Sequence, residues 1–223
     1  MEGLAGAVSG QTLPPFETVV AADGCPETAA AARAVPEEVR RRIGLRILEL
    51  PVNVGVYTAV NTAAAVARGD LLTVFGADDE MRGDHLETML KSLRGRDAVL
   101  ARCDRRKIMP DGRSVRKAPL GDGANGVIML KRSLFMEMNG YEPWRCHGDT
   151  EFVQRLRSFG YEVGVTPRST MVYVKRPGGL TDHPLTRKGG PLRTLYKKVS
   201  AARLSAPARP DRLHVSPFRE AAL

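Results

Sequence analysis

The segment Leu71–Glu80, LLTVFGADDE, is the strongest single indication of fold class in the chain and holds the first candidate site. The nearly uninterrupted apolar run Leu71–Phe75 predicts a strand covered on both faces, as in a parallel sheet. Asp78 and Asp79 follow at once, and ligands of open α/β sheets bind beyond the carboxyl ends of the strands. Carboxylates at that edge suit a hard divalent cation that holds a diphosphate. The alternative interpretation makes one of the two aspartates the N-cap of the helix predicted from His85.

Strand patterns alternate with helix patterns along the chain, which predicts an α/β domain with a largely parallel sheet. The predicted strands cover residues 17–22, 45–50, 71–75, 98–103, 161–165 and 170–174. The predicted helices cover residues 28–42, 58–68, 85–93, 133–138 and 149–159. Pro110-Asp111-Gly112 is a turn signature and predicts a hairpin after the fourth strand.

Length and composition limit the function classes. The chain has 223 residues, 43% of them hydrophobic and 26% charged, which suffices for one sizeable core. No apolar run reaches the roughly 18 residues of a membrane span, and the first residues lack the pattern of a signal peptide. Cys25, Cys103 and Cys146 are too far apart to indicate a disulfide framework or a zinc site. We therefore expect a cytoplasmic protein.

The positive charge lies at the C-terminal end. From Arg168 onward the chain holds 12 Lys or Arg and three Asp or Glu, whereas residues 1–167 carry 22 of each sign. We therefore predict a domain over residues 1–184 and a basic, proline-containing, loosely ordered tail over residues 185–223. Such a tail is usually a solvated, weakly attractive arm, and less often it binds anionic lipid headgroups or nucleic acid. We predict peripheral contact with an anionic membrane. With a neutral body and 5% aromatic residues, we expect no nucleic-acid partner.

Several motifs occur in this chain in the same order as in a known family. They are Asp23 after a strand, Asn53-Val54-Gly55, Asn61, Gly76-Ala77-Asp78-Asp79, His147-Gly148-Asp149 at a helix start, and Arg176-Pro177-Gly178-Gly179. Over residues 11–181 this order resembles a family 2 glycosyltransferase of the GT-A fold, in which a mostly parallel, Rossmann-related sheet is flanked by helices.

The resemblance implies an inverting transfer of a sugar from a UDP- or GDP-sugar to a hydroxyl of a glycan or lipid-linked acceptor, in cell-surface glycan or glycolipid synthesis. It makes Asp149 the general base and assigns a Mg²⁺ or Mn²⁺ ion to Asp78 and Asp79. It further implies donor-nucleotide contacts from a larger set of residues. They are Asp23, Asn53, Gly55, Asn61, Asp78 and Arg176.

The chemistry agrees with these residue types, since a carboxylate must accept the hydroxyl proton and a cation must neutralise the departing diphosphate. The alternative for Asp149 is an N-cap of the following helix. Glu151 is interpreted as an ordinary acid in the first turn of that helix, and His147 as a structural residue or a group that approaches the metal or the acceptor.

The chain departs from the family pattern at four places. Acidic residues common in the family are replaced by Ala22, Gly76 and Gly148. Residues 1–10 also lack the buried strand with which the family domain begins. We expect either that residues upstream of Met1 complete the domain or that this member is shortened, with unpaired edges on the neighbouring strands.

Two other function classes stay open. One is a non-catalytic relative that binds nucleotide or glycan, which includes a truncated, inactive fragment. The other is a nucleic-acid-binding protein that uses the basic tail. Hydrolysis of a nucleotide-sugar donor would separate a transferase from both.

Overall fold

The computed structural model describes residues 2–175 and 177–221. The helices are α1 (Glu2–Ser9), α2 (Pro26–Arg33), α3 (Glu37–Arg42), α4 (Val56–Val66), α5 (His85–Leu93), α6 (Arg132–Glu137), α7 (Gly148–Ser158) and α8 (Pro191–Ser205). The strands are β1 (Thr18–Asp23), β2 (Leu45–Leu50), β3 (Leu71–Thr73), β4 (Glu80–Met81), β5 (Ala98–Ile108), β6 (Ser114–Lys131), β7 (Val163–Lys175) and β8 (Arg219–Glu220).

The strands form two sheets. In the first, β1 is parallel to β2, and β8 is antiparallel to the other edge of β2. The second has the order β3-β6-β5-β7-β4, in which β5 and β7 are parallel and the remaining neighbours are antiparallel. The predicted α/β class is confirmed, but the sheets are more mixed than the sequence pattern indicated.

The apolar run at Leu71 forms a strand at a sheet edge. Within the described residues, β3 pairs with β6 alone and is antiparallel to it, and Leu71 is 37% exposed. The prediction of a parallel strand covered on both faces is therefore wrong. Its apolar residues have another use, because Leu72 and Val74 pack against one core cluster and Phe75 packs against another.

Helix α4 joins the two sheets. Ala59 packs with Leu48 and Leu50 of the first sheet. One turn later, Ala64 belongs to a cluster of the second sheet that includes Leu100. Because successive residues of a helix point in different directions, the small alanines let one helix lie close to both sheets. The first turn of α4 is thereby fixed near the ends of strands from both sheets.

The hairpin predicted at Pro110-Asp111-Gly112 is confirmed, since Met109 N–H bonds the carbonyl of Arg113 at 2.8 Å and β5 pairs with β6. Strand β5 extends five residues beyond the predicted end at Cys103. The two strands predicted over 161–174 form the single strand β7.

The expectation of a loosely ordered C-terminal segment is wrong for residues 185–221. The Ser216 N–H bonds Thr62 Oγ1 at 2.9 Å, and the side chain of Leu213 packs against the core cluster beneath α4. Helix α8 lies against α7, with Ser200 Oγ 2.6 Å from Gln154 Oε1. Composition suggested disorder, but a few apolar and hydroxyl groups supply the contacts. The domain boundary at residue 184 stays a prediction.

Candidate active site

Asp78 and Asp79 lie in a turn between β3 and β4. The Asp79 N–H bonds the carbonyl of Gly76 at 3.1 Å, and Asp79 Oδ1 accepts the N–H of Val174 in β7 at 2.9 Å. The turn is therefore attached to the edge of the second sheet. The N-cap of α5 is Asp84, so neither Asp78 nor Asp79 caps that helix and the alternative interpretation is wrong.

The missing side chain of Gly76 leaves room between the two carboxylates. A β-carbon at Gly76 would lie 3.1 Å from Asp78 Oδ1 and 3.1 Å from Asp79 Oδ2. Two carboxylate oxygens thus face one small space, and the residues fit a divalent cation that takes its other ligands from phosphates and water. No group of three His, Cys, Asp or Glu side chains able to hold a metal occurs in residues 2–175 and 177–221.

Asp23 binds the loop that precedes α4. Its Oδ1 accepts the N–H of Val54 at 2.7 Å, and its Oδ2 accepts the N–H of Gly55 at 2.9 Å. Asn53 completes the contact by donating to the carbonyl of Asp23 at 3.2 Å. A β-carbon at Gly24 would lie 2.3 Å from the Asn53 nitrogen, so glycine is required for this close approach. Asp23, Asn53 and Gly55 are therefore brought together, as the motif order indicated.

Contrary to the prediction, Asn61 does not face a nucleotide site. The residue is fully buried, its amide donates to the Tyr141 carbonyl at 2.8 Å, and its Oδ1 accepts the Tyr141 N–H at 2.8 Å. Both halves of the amide are thus used within the protein. The prediction of a nucleotide contact is corrected, because Asn61 instead fixes the segment that leads toward α7. Predicted residue Arg176 lies outside the described residues.

Asp149 occupies the first turn of α7. The residue before the helix is His147, whose φ of 72° is left-handed, so Asp149 is not the N-cap and that alternative is wrong. Its Oδ1 accepts the hydroxyl of Tyr57 at 2.9 Å and the N–H of Thr150 at 2.8 Å. A β-carbon at Gly126 would lie 3.5 Å from Oδ2. One oxygen is held by donors, whereas Oδ2 receives no hydrogen bond from the described residues.

Tyr57 is the partner of Asp149 that sequence reasoning missed. Burial, and then the negative charge of Asp149, raise the pKa of the Tyr57 hydroxyl, so it stays protonated and donates. The ring also explains Gly148, since a β-carbon there would lie 2.8 Å from it. Tyr57 lies two residues after the Asn53-Val54-Gly55 motif, and this position could have identified it as a site residue from the sequence.

The two acidic and basic neighbours of Asp149 are buried. Glu151 lies in the first turn of α7, as predicted, but it is 2% exposed and pairs with Arg155 at 2.9 Å. Burial raises the pKa of Glu151 and outweighs the opposite effect of Arg155. His147 is also buried, and burial lowers its pKa despite the nearby Asp149. Both residues shape the segment around the candidate base.

An open cleft lies beside the acidic turn. Glu27, Thr28 and Ala31 of α2, which begins just after Asp23, line one side of a space of about 420 Å³, and Ala77 with Asp78 lines the other. Across the first turn of α4, Arg145 donates to Asn53 Oδ1 at 2.8 Å and links the Asp23 loop to the segment before Asp149.

The profile of the family described as Glycosyl transferase family 2 matches residues 5–155. Among curated proteins, none matches the chain.

Three solved structures are similar in fold. The mannosyltransferase PcManGT from Pyrobaculum calidifontis, in complex with GDP-Man and Mn²⁺, is 17% identical with a TM-score of 0.68, over 94% of this chain and 61% of that one. S. aureus TarS 1–349 with UDP is 16% identical with a TM-score of 0.58, over 79% and 56%. TarS 1–349 with UDP-GlcNAc is 16% identical with a TM-score of 0.56, over 78% and 54%. The chain thus spans little more than half the length of these structures.

Proposed function

The chain belongs to glycosyl transferase family 2 and has a GT-A fold, and from this premise we propose that it transfers a sugar from a UDP- or GDP-sugar to an acceptor hydroxyl with inversion at the anomeric carbon. UDP, UDP-GlcNAc and GDP-Man are present in the similar structures, which supports a nucleotide-sugar donor. The acceptor is a glycan or a lipid-linked glycan, and the product belongs to cell-surface polysaccharide or glycolipid synthesis.

The observation that carries this proposal is the environment of Asp149. Tyr57 and the Thr150 N–H hold Oδ1, while Oδ2 faces the position of Gly126, where no side chain intervenes. In an inverting transfer, a carboxylate accepts the hydroxyl proton as that oxygen attacks the anomeric carbon, and the bond to the departing diphosphate breaks. Asp149 Oδ2 is the oxygen that accepts the proton.

The acidic turn suits the leaving-group side of the reaction. Asp78 Oδ1 and Asp79 Oδ2 would hold Mg²⁺ or Mn²⁺, and Asp79 Oδ1 stays bonded to the Val174 N–H. When bound, such an ion neutralises charge on the nucleoside diphosphate. Asp23, Asn53 and Gly55, which contact one another before α4, would contact the donor nucleotide, and Arg176 belongs to the same proposal by its place in the motif order.

A lipid-linked acceptor would require the protein to approach a membrane. None of the helices described in residues 2–175 and 177–221 is long and apolar enough to cross a bilayer. We propose peripheral contact at the inner face of the membrane through the exposed side chains of Lys197 and Lys198 on α8.

The test of the proposed chemistry is Asp149→Asn. Asparagine keeps the shape and can still accept the Tyr57 hydrogen bond, but it cannot take up the proton. We expect nucleoside diphosphate release from UDP-GlcNAc or GDP-Man, with or without an acceptor, to fall by roughly 10² to 10⁴. Calorimetry should give an unchanged nucleotide affinity.

Asp211→Asn, in a side chain that is 87% exposed, is the matched control and should keep wild-type turnover. Full activity of Asp149→Asn would remove the base assignment. Tight nucleotide binding without any turnover in the wild-type chain would favour a non-catalytic relative.

A further inference from the structure

Four basic residues share one face of the long hairpin and its neighbour β7. From Cys103 to Lys107, β5 pairs with β7 without a shift, which places Arg105 opposite Tyr173 and Lys107 opposite Lys175. On its other side, β5 places Arg105 opposite Lys117. Because alternate residues of a strand point to the same face, these side chains lie together. The basic face is defined as Arg105, Lys107, Lys117 and Lys175.

The basic face is short of negative partners. Lys175 bonds Asp182 at 2.6 Å, but Arg105, Lys107 and Lys117 form no ion pair with any carboxylate in the described part of the chain. Like charges directly opposite one another on a sheet are destabilising. Two such pairs lie on adjacent rows, Arg105 with Lys117 and Lys107 with Lys175, and of their members Lys175 alone has a carboxylate partner among the described residues.

The opposite face of the same strands is arranged differently. Arg82 pairs with Asp104 at 3.1 Å, and Arg106 pairs with Glu80. Two charges of that face, Asp104 and Arg106, are thus matched by neighbouring elements, although Arg116 lies opposite Arg106 and has no carboxylate partner among the described residues. The basic face is less well matched, because Lys175 with Asp182 is its one ion pair in the described part of the chain.

The basic face lies beside the acidic turn. Tyr173 and Lys175 flank Val174, whose N–H bonds Asp79 Oδ1 at 2.9 Å. The charged rows also lie at the carboxyl ends of the parallel strands β5 and β7, where α/β sheets bind their ligands. Toward the other end, Cys103 and Met171 of this face are buried in the cluster beneath α5, so the basic rows begin where the cover of α5 ends.

We propose that the basic face binds a polyanionic acceptor glycan, one whose repeating unit carries phosphodiester or carboxylate groups, and leads it toward the acidic turn. This inference rests on the proposed function, because it names the class of acceptor. Neighbouring strands are about 4.8 Å apart, so the cations spread over roughly 10 Å across three strands. That spread suits successive charges of a chain better than one diphosphate. Tyr173 adds an aromatic ring against which a sugar ring can pack.

The experiment measures binding without donor, so that it is independent of turnover. The probes are an oligogalacturonate and a glycerol phosphate oligomer of matched length, with a neutral maltooligosaccharide as the comparison. We expect the chain to bind one or both anionic probes and not the neutral one, with affinity that falls as salt rises. The better of the two anionic probes identifies the charged group. The triple variant Arg105→Gln/Lys107→Gln/Lys117→Gln should lose about tenfold or more in affinity, as for a lost charged hydrogen bond.

The matched control is Arg41→Gln/Arg42→Gln/Arg116→Gln, which removes the same charge from α3 and from the opposite face of β6. It should bind the anionic probes like the wild type, and both triple variants should keep UDP and GDP affinity. If the triple variant fails to fold, the single variant Lys117→Gln, at an exposed position, should still bind the anionic probes more weakly than the wild type.

Equal losses in both triple variants would overturn the inference, as would an absence of probe binding. So would binding of a single-stranded oligonucleotide, or of phosphatidylglycerol vesicles, that depends on the basic face and exceeds glycan binding. Failure of donor turnover alone would count against the proposed function and leave this binding result intact.

Discussion

At the scale of single residues, the contact between Tyr57 and Asp149 has a kinetic consequence. The hydroxyl donates to Asp149 Oδ1 at 2.9 Å, and this bond holds the side chain of the proposed base in one orientation. Because burial and the charge of Asp149 raise the pKa of Tyr57, the hydroxyl remains a donor at neutral and alkaline pH. Tyr57→Phe should lower kcat about tenfold and leave nucleotide affinity unchanged, because the base loses the bond that orients it. Donor turnover rates and calorimetry with UDP or GDP check this.

A neighbouring tyrosine provides the control for that prediction. Tyr141 is also buried, its ring lies 5.4 Å from that of Tyr57, and its hydroxyl has no hydrogen-bond partner among the described residues. Tyr141→Phe should keep the wild-type kcat. Equal losses of kcat in the two variants would show that packing, rather than the hydrogen bond, accounts for the effect.

At the scale of elements, the turn between β3 and β4 joins a possible metal site to the sheet edge. Asp79→Asn can still accept the Val174 N–H, so the turn should keep its conformation while losing a ligand charge. We expect UDP or GDP to bind the wild type more tightly with Mn²⁺ than with a chelator, and this difference to disappear in Asp79→Asn. Calorimetry in the two conditions measures it. Equal affinity with metal and chelator in the wild type would remove the metal assignment.

The same turn offers a steric version of the experiment. Gly76→Ala would place a β-carbon 3.1 Å from an oxygen of each carboxylate, so the two side chains must move apart. The metal-dependent part of nucleotide affinity should fall. Gly6→Ala in α1, where a β-carbon meets nothing within 4 Å, is the matched control and should bind nucleotide as the wild type does.

At the scale of the whole molecule, the C-terminal segment both completes the packing and presents positive charge. Deleting residues 185–221 would remove Leu213 and Ser216 together with their contacts to the rest of the fold. Substitutions at exposed positions therefore test the charge of this segment better. Lys197→Gln/Lys198→Gln should weaken co-sedimentation with phosphatidylglycerol vesicles, with the wild-type signal falling as salt rises, because each such charge contributes about 1 kcal/mol near an anionic surface. Arg41→Gln/Arg42→Gln should sediment like the wild type. No difference between the two pairs would count against membrane contact through α8.

The α/β class, the order of the motifs and the extent of several elements could all be predicted from the residues alone. The bounds Leu45–Leu50 and His85–Leu93 were predicted as observed, because burial periodicity and helix-stop residues are local signals. The sequence also selected Asp23, Asn53 and Gly55, which the structure brings into contact, and placed Asp149 near a helix start.

Contacts between residues far apart in the chain could not be predicted, because they depend on how the elements pack. Tyr57 and Asp149 are 92 positions apart, and Asn61 and Tyr141 are 80 apart, so no local pattern records either contact. The edge position of β3 and the rows of the basic face follow from strand order and register, which the packing of the complete chain sets. The basic C-terminal segment likewise acquires order only from partners on other elements. Local propensity determines which helices and strands form, whereas long-range packing determines which of them are neighbours. The candidate site is formed by residues of neighbouring elements.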